Sequence, residues 1–322
     1  MIRTLLSLVL VLFTLIPFAA ATMIDGPTVI TAPGTYQLTS DVVGADRDAA
    51  IEIIASNVVL EGGGHVLAGT SARDIPGILI RTERGTGPAD VVVRNLTVKD
   101  WTYGVHALGA SHLVLENVTS VGNREHGLYL FAVSNSTIRS CRVEQNEGSG
   151  IVLSDVSHDN VVEQNTVVRN RQNGLMLIAS DRNHLTGNTV RENGAFGIDC
   201  YLTKENLIAD NLFFNTNNTH VEELDRNTWS FPRSAGPNIA GGPEKGGNYW
   251  GEPGGGGFSD LTPDANGDGF CDSPFVIYEG NMDSLPLKGE GTSRPTPTSA
   301  SGPAAIVAIL AIVAVTLAVR WR

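Results

Sequence analysis

The chain repeats itself, and the interval of the repeat decides what it can fold into. The segments "YGVHAL", "HGLYLF", "SGIVLS", "NGLMLI" and "FGIDCY" place glycine at 104, 127, 150, 174 and 197, with spacings of 23, 23, 24 and 23 residues. An earlier "PGILIR" puts Gly77 in the same role, offset by a longer interval that the "ERGTGPAD" loop absorbs. Between the glycines, short runs such as "DVVVRNLTV" and "SHLVLENVT" alternate apolar and polar residues, and outside the termini no apolar run has helical spacing. A coil this short, built of β segments alone, cannot bury its own apolar face and must stack on its neighbours. The expectation is an all-β, single-stranded parallel β-helix of about 23 residues per coil, with about six coils in register. Leucine-rich repeats would need their leucine ladder, and propeller blades run about twice this period.

Along each coil the residues after glycine should alternate inward and outward. Val105 and Ala107, Leu128 and Leu130, Ile151 and Leu153, Leu175 and Leu177, and Ile198 and Cys200 are expected to point inward and stack. The outward set is then His106, Tyr129, Val152, Met176 and Asp199, followed by Leu108, Phe131, Ser154, Ile178 and Tyr201. Four residues before each glycine stand Asp100, Asn123, Asn146, Asn170 and Asn193. Asparagine tolerates a left-handed bend and its amide can bond to the copies above and below, so this file reads as architecture.

The two ends differ from the body. Residues 1–21 carry Arg3, an apolar run and the small residues Ala19 and Ala21, a pattern expected of a signal peptide cleaved after Ala21. Residues 289–303 are a Ser/Thr/Pro linker, and 304–319 are an uncharged stretch of span length followed by Arg320 and Arg322. That arrangement predicts a transmembrane helix holding the fold outside the cell membrane. Between the ends lie a cap with the first coils (22–75), the β-helix repeats (76–225) and a C-terminal cap (226–288). The net charge of −12 excludes nucleic acid as a partner, since phosphate backbones select basic surfaces. Three cysteines cannot all pair internally, and Cys141 and Cys200 are expected to act as core hydrophobes. Of four N-x-S/T sites, Asn95 and Asn117 sit in strand-like runs, which leaves Asn135 and Asn217 as the glycosylation candidates.

The stretch "PDANGDGFCDSP" crowds Asp264, Asn266, Asp268 and Asp272 around two glycines. Crowded carboxylates are stabilised by a hard cation, and DxNxDGxxD matches the first, third, fifth and ninth positions of a calcium loop. Phe275 stands where the bidentate Glu of such a loop would be, so a further ligand is needed, with Asp260 the candidate. Calcium tying the cap to the last coil is the expectation, against an acidic Gly-rich turn without metal.

With "TAPGTYQLTSDV", "IIASNVVLEGGGHVLAG" and the closing "GGNYWGEPGGGGFSDLTPDANGDGFCDSPFVIYEGNMDSLPL", the sequence resembles the NosD-like family of right-handed β-helix proteins, in particular its archaeal cell-surface members. The resemblance covers about residues 24–287. It implies a right-handed helix, export, a domain of carbohydrate-binding or sugar-hydrolase type, and, in some bacterial members, support of copper insertion into nitrous oxide reductase. Copper needs soft or imidazole ligands brought together, and the mature chain offers no HxH, MxxM or CxxC pair.

The outward row carries the functional expectation. His106, Tyr129, Phe131, Met176, Asp199 and Tyr201 form a ligand-binding face suited to stacking on a sugar or docking a protein. Glycoside hydrolysis needs two acids facing each other, and this row has one, Asp199, with Asp155 on the following loop as a conceivable partner. The reading is a membrane-anchored cell-surface β-helix that binds a glycan or protein without catalysis. The alternatives are a polysaccharide lyase or hydrolase and, behind that, a copper-delivery accessory protein.

Overall fold

A computed structural model describes residues 20–45, 48–70, 75–82, 86–222, 226–278 and 280–289. The expected signal peptide, apart from its last two residues, and the expected anchor at 304–319 lie outside the described residues. Among those described, no helix is long and apolar enough to cross a membrane.

Runs of three to five residues rich in Val, Ile and Leu leave their backbone amides to be satisfied elsewhere, and each finds a parallel partner one coil away. Nine runs form one parallel sheet among the described residues: Thr28–Ile30, Ile51–Ile53, Ile78–Ile80, Val105–Leu108, Leu128–Phe131, Ile151–Ser154, Leu175–Ile178, Ile198–Tyr201 and Thr219–Val221. A second, 17-stranded sheet collects the remaining runs of each coil, also in parallel. The result is a right-handed parallel β-solenoid of about eight turns with about 23 residues per coil.

The inward files are those expected. Val105, Leu128, Ile151, Leu175 and Ile198 are in register and buried, as are Ala107, Leu130, Leu153, Leu177 and Cys200. Cys141 is buried beside this core, its thiol pushed up to about 12 by burial, and all three cysteines are free.

Glycine before each strand answers a lack of space. At Gly127 a Cβ would lie 2.3 Å from Val143 Cγ1 and 2.8 Å from the Gly150 carbonyl oxygen. Neighbouring coils approach too closely there for any side chain.

Asparagine amides run through the stack as three ladders. The first is Asn123, Asn146, Asn170, Asn193 and Asn215, each after Asn123 accepting at Oδ1 from both the backbone N–H and the side-chain Nδ2–H of the asparagine one coil earlier. The second is Asn160, Asn183, Asn206 and Asn227, and the third Asn165, Asn188, Asn211 and Asn248. The bonding expected of the first file is present, but the left-handed backbone belongs to the residue before it: Gly122, Gln145, Arg169 and Glu192 have φ of 66°, 56°, 55° and 55°. Asp100 is one residue out of the file; the position bonded to Asn123 Oδ1 is Trp101, through its backbone N–H.

Every ladder directs its backbone N–H and one Nδ2–H per asparagine toward the C-terminus, so each must end on an acceptor. Asn218 Oδ1 ends the first, accepting from the Asn215 N–H and Nδ2–H. The other two end on the antiparallel pair Phe275–Tyr278 and Asn281–Asp283: Asn281 Oδ1 takes the Asn227 and Trp229 donors, and Asp283 Oδ2 takes those of Asn248 and Trp250. This explains part of the "GGNYWG" motif, because a Cβ on Gly247 would fall 1.8 Å from Asp283 Oδ1. The last parallel strands, Arg226–Thr228 and Tyr249–Gly251, fall within the segment read from sequence as cap.

One short α-helix, Phe258–Leu261, departs from the all-β expectation. Asp260 starts it by accepting the Gly257 and Glu252 N–H groups, and Lys288 Nζ donates to the Ser259, Asp260 and Thr262 carbonyls at its end. Four residues have too little apolar periodicity to show in a sequence.

Candidate functional site

The outer side of the nine-stranded sheet carries one file of side chains in the order Leu79, His106, Tyr129, Val152, Met176, Asp199 and His220. A second file, Leu108, Phe131, Ser154, Ile178 and Tyr201, runs beside it. The alternation rule placed every expected residue on the correct side. It did not give their exposure: Val152 and Ser154 are 1% and 5% exposed, so neither is open surface, because larger neighbours in the files close over them. Tyr201, at 43%, is the exposed member of the expected face, and His106, Tyr129, Phe131, Met176 and Asp199 are partly covered.

Toward the middle of the stack the face is aromatic. The Tyr129 ring lies 4.9 Å from His106 in a stacked arrangement, 5.5 Å from Tyr103 and His126, and 6.5 Å from Phe131 edge-on. Burial pushes the His106 imidazole down to about 4, with His126 next in effect, so the ring is neutral at neutral pH. Its Nε2 is buried without a hydrogen-bond partner among the described residues. Burial also lowers His126, whose Nδ1 accepts the Ser149 N–H at 2.9 Å. Ser154 Oγ donates to Tyr129 Oη at 3.3 Å, which sets the phenol over the second file.

At the C-terminal end the face is polar. Asp199 accepts from Asn173 Nδ2 at 2.9 Å through Oδ2 and from His220 Nδ1 at 2.8 Å through Oδ1, and the His220 ring stacks on Phe196 at 4.9 Å. Tyr103, His126 and Phe196, together with His220, were absent from the expected face. A signal for the first three was present, since Tyr103, His126, Ser149, Asn173 and Phe196 each stand one residue before a repeat glycine. The row holds two carboxylates, Glu52, paired with Arg81 beside Leu79, and Asp199, engaged by two donors at the other end, and Asp155 is exposed on the turn after Ile151–Ser154.

The acidic loop is closed by its own atoms. Asp264 accepts the Asp268 and Gly269 N–H groups, Asn266 Oδ1 accepts the Asp268 N–H, and Asp272 accepts the Ala265 N–H. Asp268 is paired with Arg233 Nη2, whose hydrogen bond holds its carboxyl below the usual range. Asp260, the extra ligand expected of a calcium loop, is occupied at the short helix and by Tyr249 Oη. Among the described residues no group of three or more His, Cys, Asp or Glu side chains is placed to hold a metal ion. Asn117, Asn135 and Asn217 are exposed and Asn95 is half-buried; Asn117 Nδ2 donates to Asn95 Oδ1 and Asn95 Nδ2 to Glu61.

A family model described as periplasmic copper-binding protein (NosD) matches residues 50–255, more than half of the chain. Solved structures with a similar course include a Dettilon tailspike protein, at 15% identity over 62% of this chain and 47% of its own, with a TM-score of 0.46. The Azotobacter vinelandii mannuronan C-5 epimerase AlgE4 A-module shares 15% identity over 58% of each chain, with a TM-score of 0.38. The periplasmic alginate epimerase AlgG shares 17% identity over 60% of this chain and 58% of its own, with a TM-score of 0.44. The chain thus spans 47 to 58% of the length of these structures. None of the curated proteins compared with the chain matches it.

Proposed function

The chain belongs to the NosD family, and from that premise we propose that it is an extracytoplasmic β-helix protein that binds a glycan, without catalysis, along the outer face of its nine-stranded sheet. The observation that carries this reading is the contiguous group of Tyr103, His106, His126, Tyr129 and Phe131 on that face, with ring centroids 4.9 to 6.5 Å apart. Aromatic and imidazole rings offer apolar faces beside polar edges, which suits the C–H faces and hydroxyls of sugars. Export is supported by the periplasmic description of the family and by the signal-type sequence of residues 1–21. Hydrolysis needs two acids facing each other across the bond, and Asp199 is engaged by Asn173 and His220 while Glu52, at the other end of the row, is paired with Arg81.

The family description also names copper, and the side chains here do not fit it. Copper is held by thiolates, thioethers or converging imidazoles. The thiols of Cys141 and Cys271 are buried and pushed up to about 12 and about 11, and Cys200 lies in the core. Met176 Sδ accepts a hydrogen bond from Ser149 Oγ, and the described residues gather no three donors of the His, Cys, Asp or Glu type.

Retention of the full-length protein on immobilised oligosaccharides tests the proposal. Replacing Tyr129 and Tyr201 by Ala together should lower affinity for the retained glycan by at least about ten-fold, since each removes a ring from the face. Val276→Ala, which trims an exposed apolar residue on the C-terminal hairpin, should leave it unchanged. Equal retention of the double variant and the native protein would refute the proposal.

A further inference from the structure

A closed circuit of contacts fixes one imidazole at the C-terminal end of the outer face. Asn173 is buried; its Oδ1 accepts the Phe196 N–H at 3.2 Å and its Nδ2 donates to Asp199 Oδ2 at 2.9 Å. Asp199 Oδ1 accepts from His220 Nδ1 at 2.8 Å, and the His220 ring returns to Phe196 by stacking at 4.9 Å and 18°. The four residues come from three successive coils, those of Leu175–Ile178, Ile198–Tyr201 and Thr219–Val221. A histidine side chain that is 51% exposed would ordinarily keep its rotamer freedom. Here it is held both at Nδ1 and at its ring face, by Asp199 and Phe196, whose side chains lie outside the core. Preorganisation of this kind serves a site rather than stability.

The circuit also sets the polarity of the ring. With Nδ1–H donated to Asp199, the neutral imidazole keeps Nε2 as an acceptor. The charges of the face select further. Among the described residues of the strands from Val105–Leu108 to Thr219–Val221 the outward positions hold no Lys or Arg and one carboxylate, Asp199, with Glu222 exposed directly after the last strand and Glu52 in the same file further toward the N-terminus. Arg81, directly after Ile78–Ile80, is a cation that borders His106, and it is already paired with Asp48 and Glu52, so a polyanionic glycan would have to compete with those carboxylates for it, on a chain whose net charge is −12.

We propose that His220, held by Asp199, Asn173 and Phe196, forms a subsite that accepts a hydroxyl hydrogen bond from a neutral sugar unit, and that the face discriminates against uronate polymers. This rests on the reading of the outer face as a glycan site and adds its charge class. Tyr201, in the neighbouring file one coil before His220, supplies an exposed ring beside the subsite.

The test is titration calorimetry of the full-length protein with neutral gluco-, manno- and galacto-oligosaccharides and with oligouronates of the same length. The native protein should bind a neutral oligosaccharide at least ten-fold more tightly than any oligouronate. His220→Phe keeps a ring against Phe196 but loses the acceptor, and should weaken that binding about ten-fold, the value of one hydrogen bond of roughly 1.4 kcal/mol. His220→Gln retains an acceptor oxygen and should recover part of the loss, and both variants should melt with the native protein. Tighter binding of an oligouronate, or His220→Phe binding as the native protein does, would overturn this inference and leave the glycan-binding face standing. No binding of any oligosaccharide would overturn both.

Discussion

Asn170→Ala is expected to destabilise the fold by about 3 to 5 kcal/mol, far more than an ordinary polar-to-alanine change. Asn170 lies in the middle of the first amide ladder and is buried. Its Oδ1 accepts from the Asn146 N–H and Nδ2–H, and its Nδ2 donates to the Val143 carbonyl and Asn193 Oδ1. Alanine would leave four buried groups without those bonds. The adjacent Arg171→Ala is the matched control, because its side chain is 77% exposed and makes a surface ion pair with Glu147. That change should stay within about 0.5 kcal/mol. Denaturant unfolding of the two variants beside the native protein checks the comparison, and equal midpoints would show that the ladder contributes nothing to stability.

Asp283→Leu is the second large effect, expected at about 3 kcal/mol or more. The carboxylate is fully buried and accepts from the Asn248 N–H and Nδ2–H, Trp250 Nε1–H and the Leu285 N–H. Leucine would orphan these donors at the end of the third ladder. Burial pushes the carboxyl up from 3.8 to about 6, outweighing the donors around it. Between about pH 4 and pH 6 the folded protein therefore keeps a proton that the unfolded chain has released. The contribution of this group is greatest below about pH 4 and falls by roughly 3 kcal/mol as pH rises through 6, after which it is flat. Asp283→Asn should remove that slope while costing less than leucine, since its Oδ1 can still accept from Asn248. An unaltered pH dependence of stability in Asp283→Asn would refute the assignment.

What the sequence made legible follows from how local each feature is. Inward and outward sides depend on a period of two within a strand, and Leu153 and Tyr129 fell where that period put them. Exposure depends on neighbours in other coils, so Val152 and Ser154 read as surface and are buried. The first ladder was visible through the glycine beside it. The ladders through Asn183 and Asn188 recur at the same interval but have no glycine at a fixed offset in every coil to mark them. The acid-rich loop is read from spacing alone, and spacing does not show that Arg233, from a distant segment, pairs with Asp268. His220 was missed because the last coil lacks the repeat glycine, and only the register with Asp199 brings it into the file.

The central claim is that ligand lies on the outer face of the nine-stranded sheet. Carbene footprinting of the full-length protein, with and without a saturating oligosaccharide, measures it most directly by mass spectrometry of labelled peptides. The account predicts protection at Tyr129, Phe131, Met176 and Tyr201, with unchanged labelling of Val43, Val276 and Met282, exposed residues off that face. Protection concentrated at the C-terminal hairpin or on the 17-stranded sheet, with the outer face labelled as in the free protein, would contradict it.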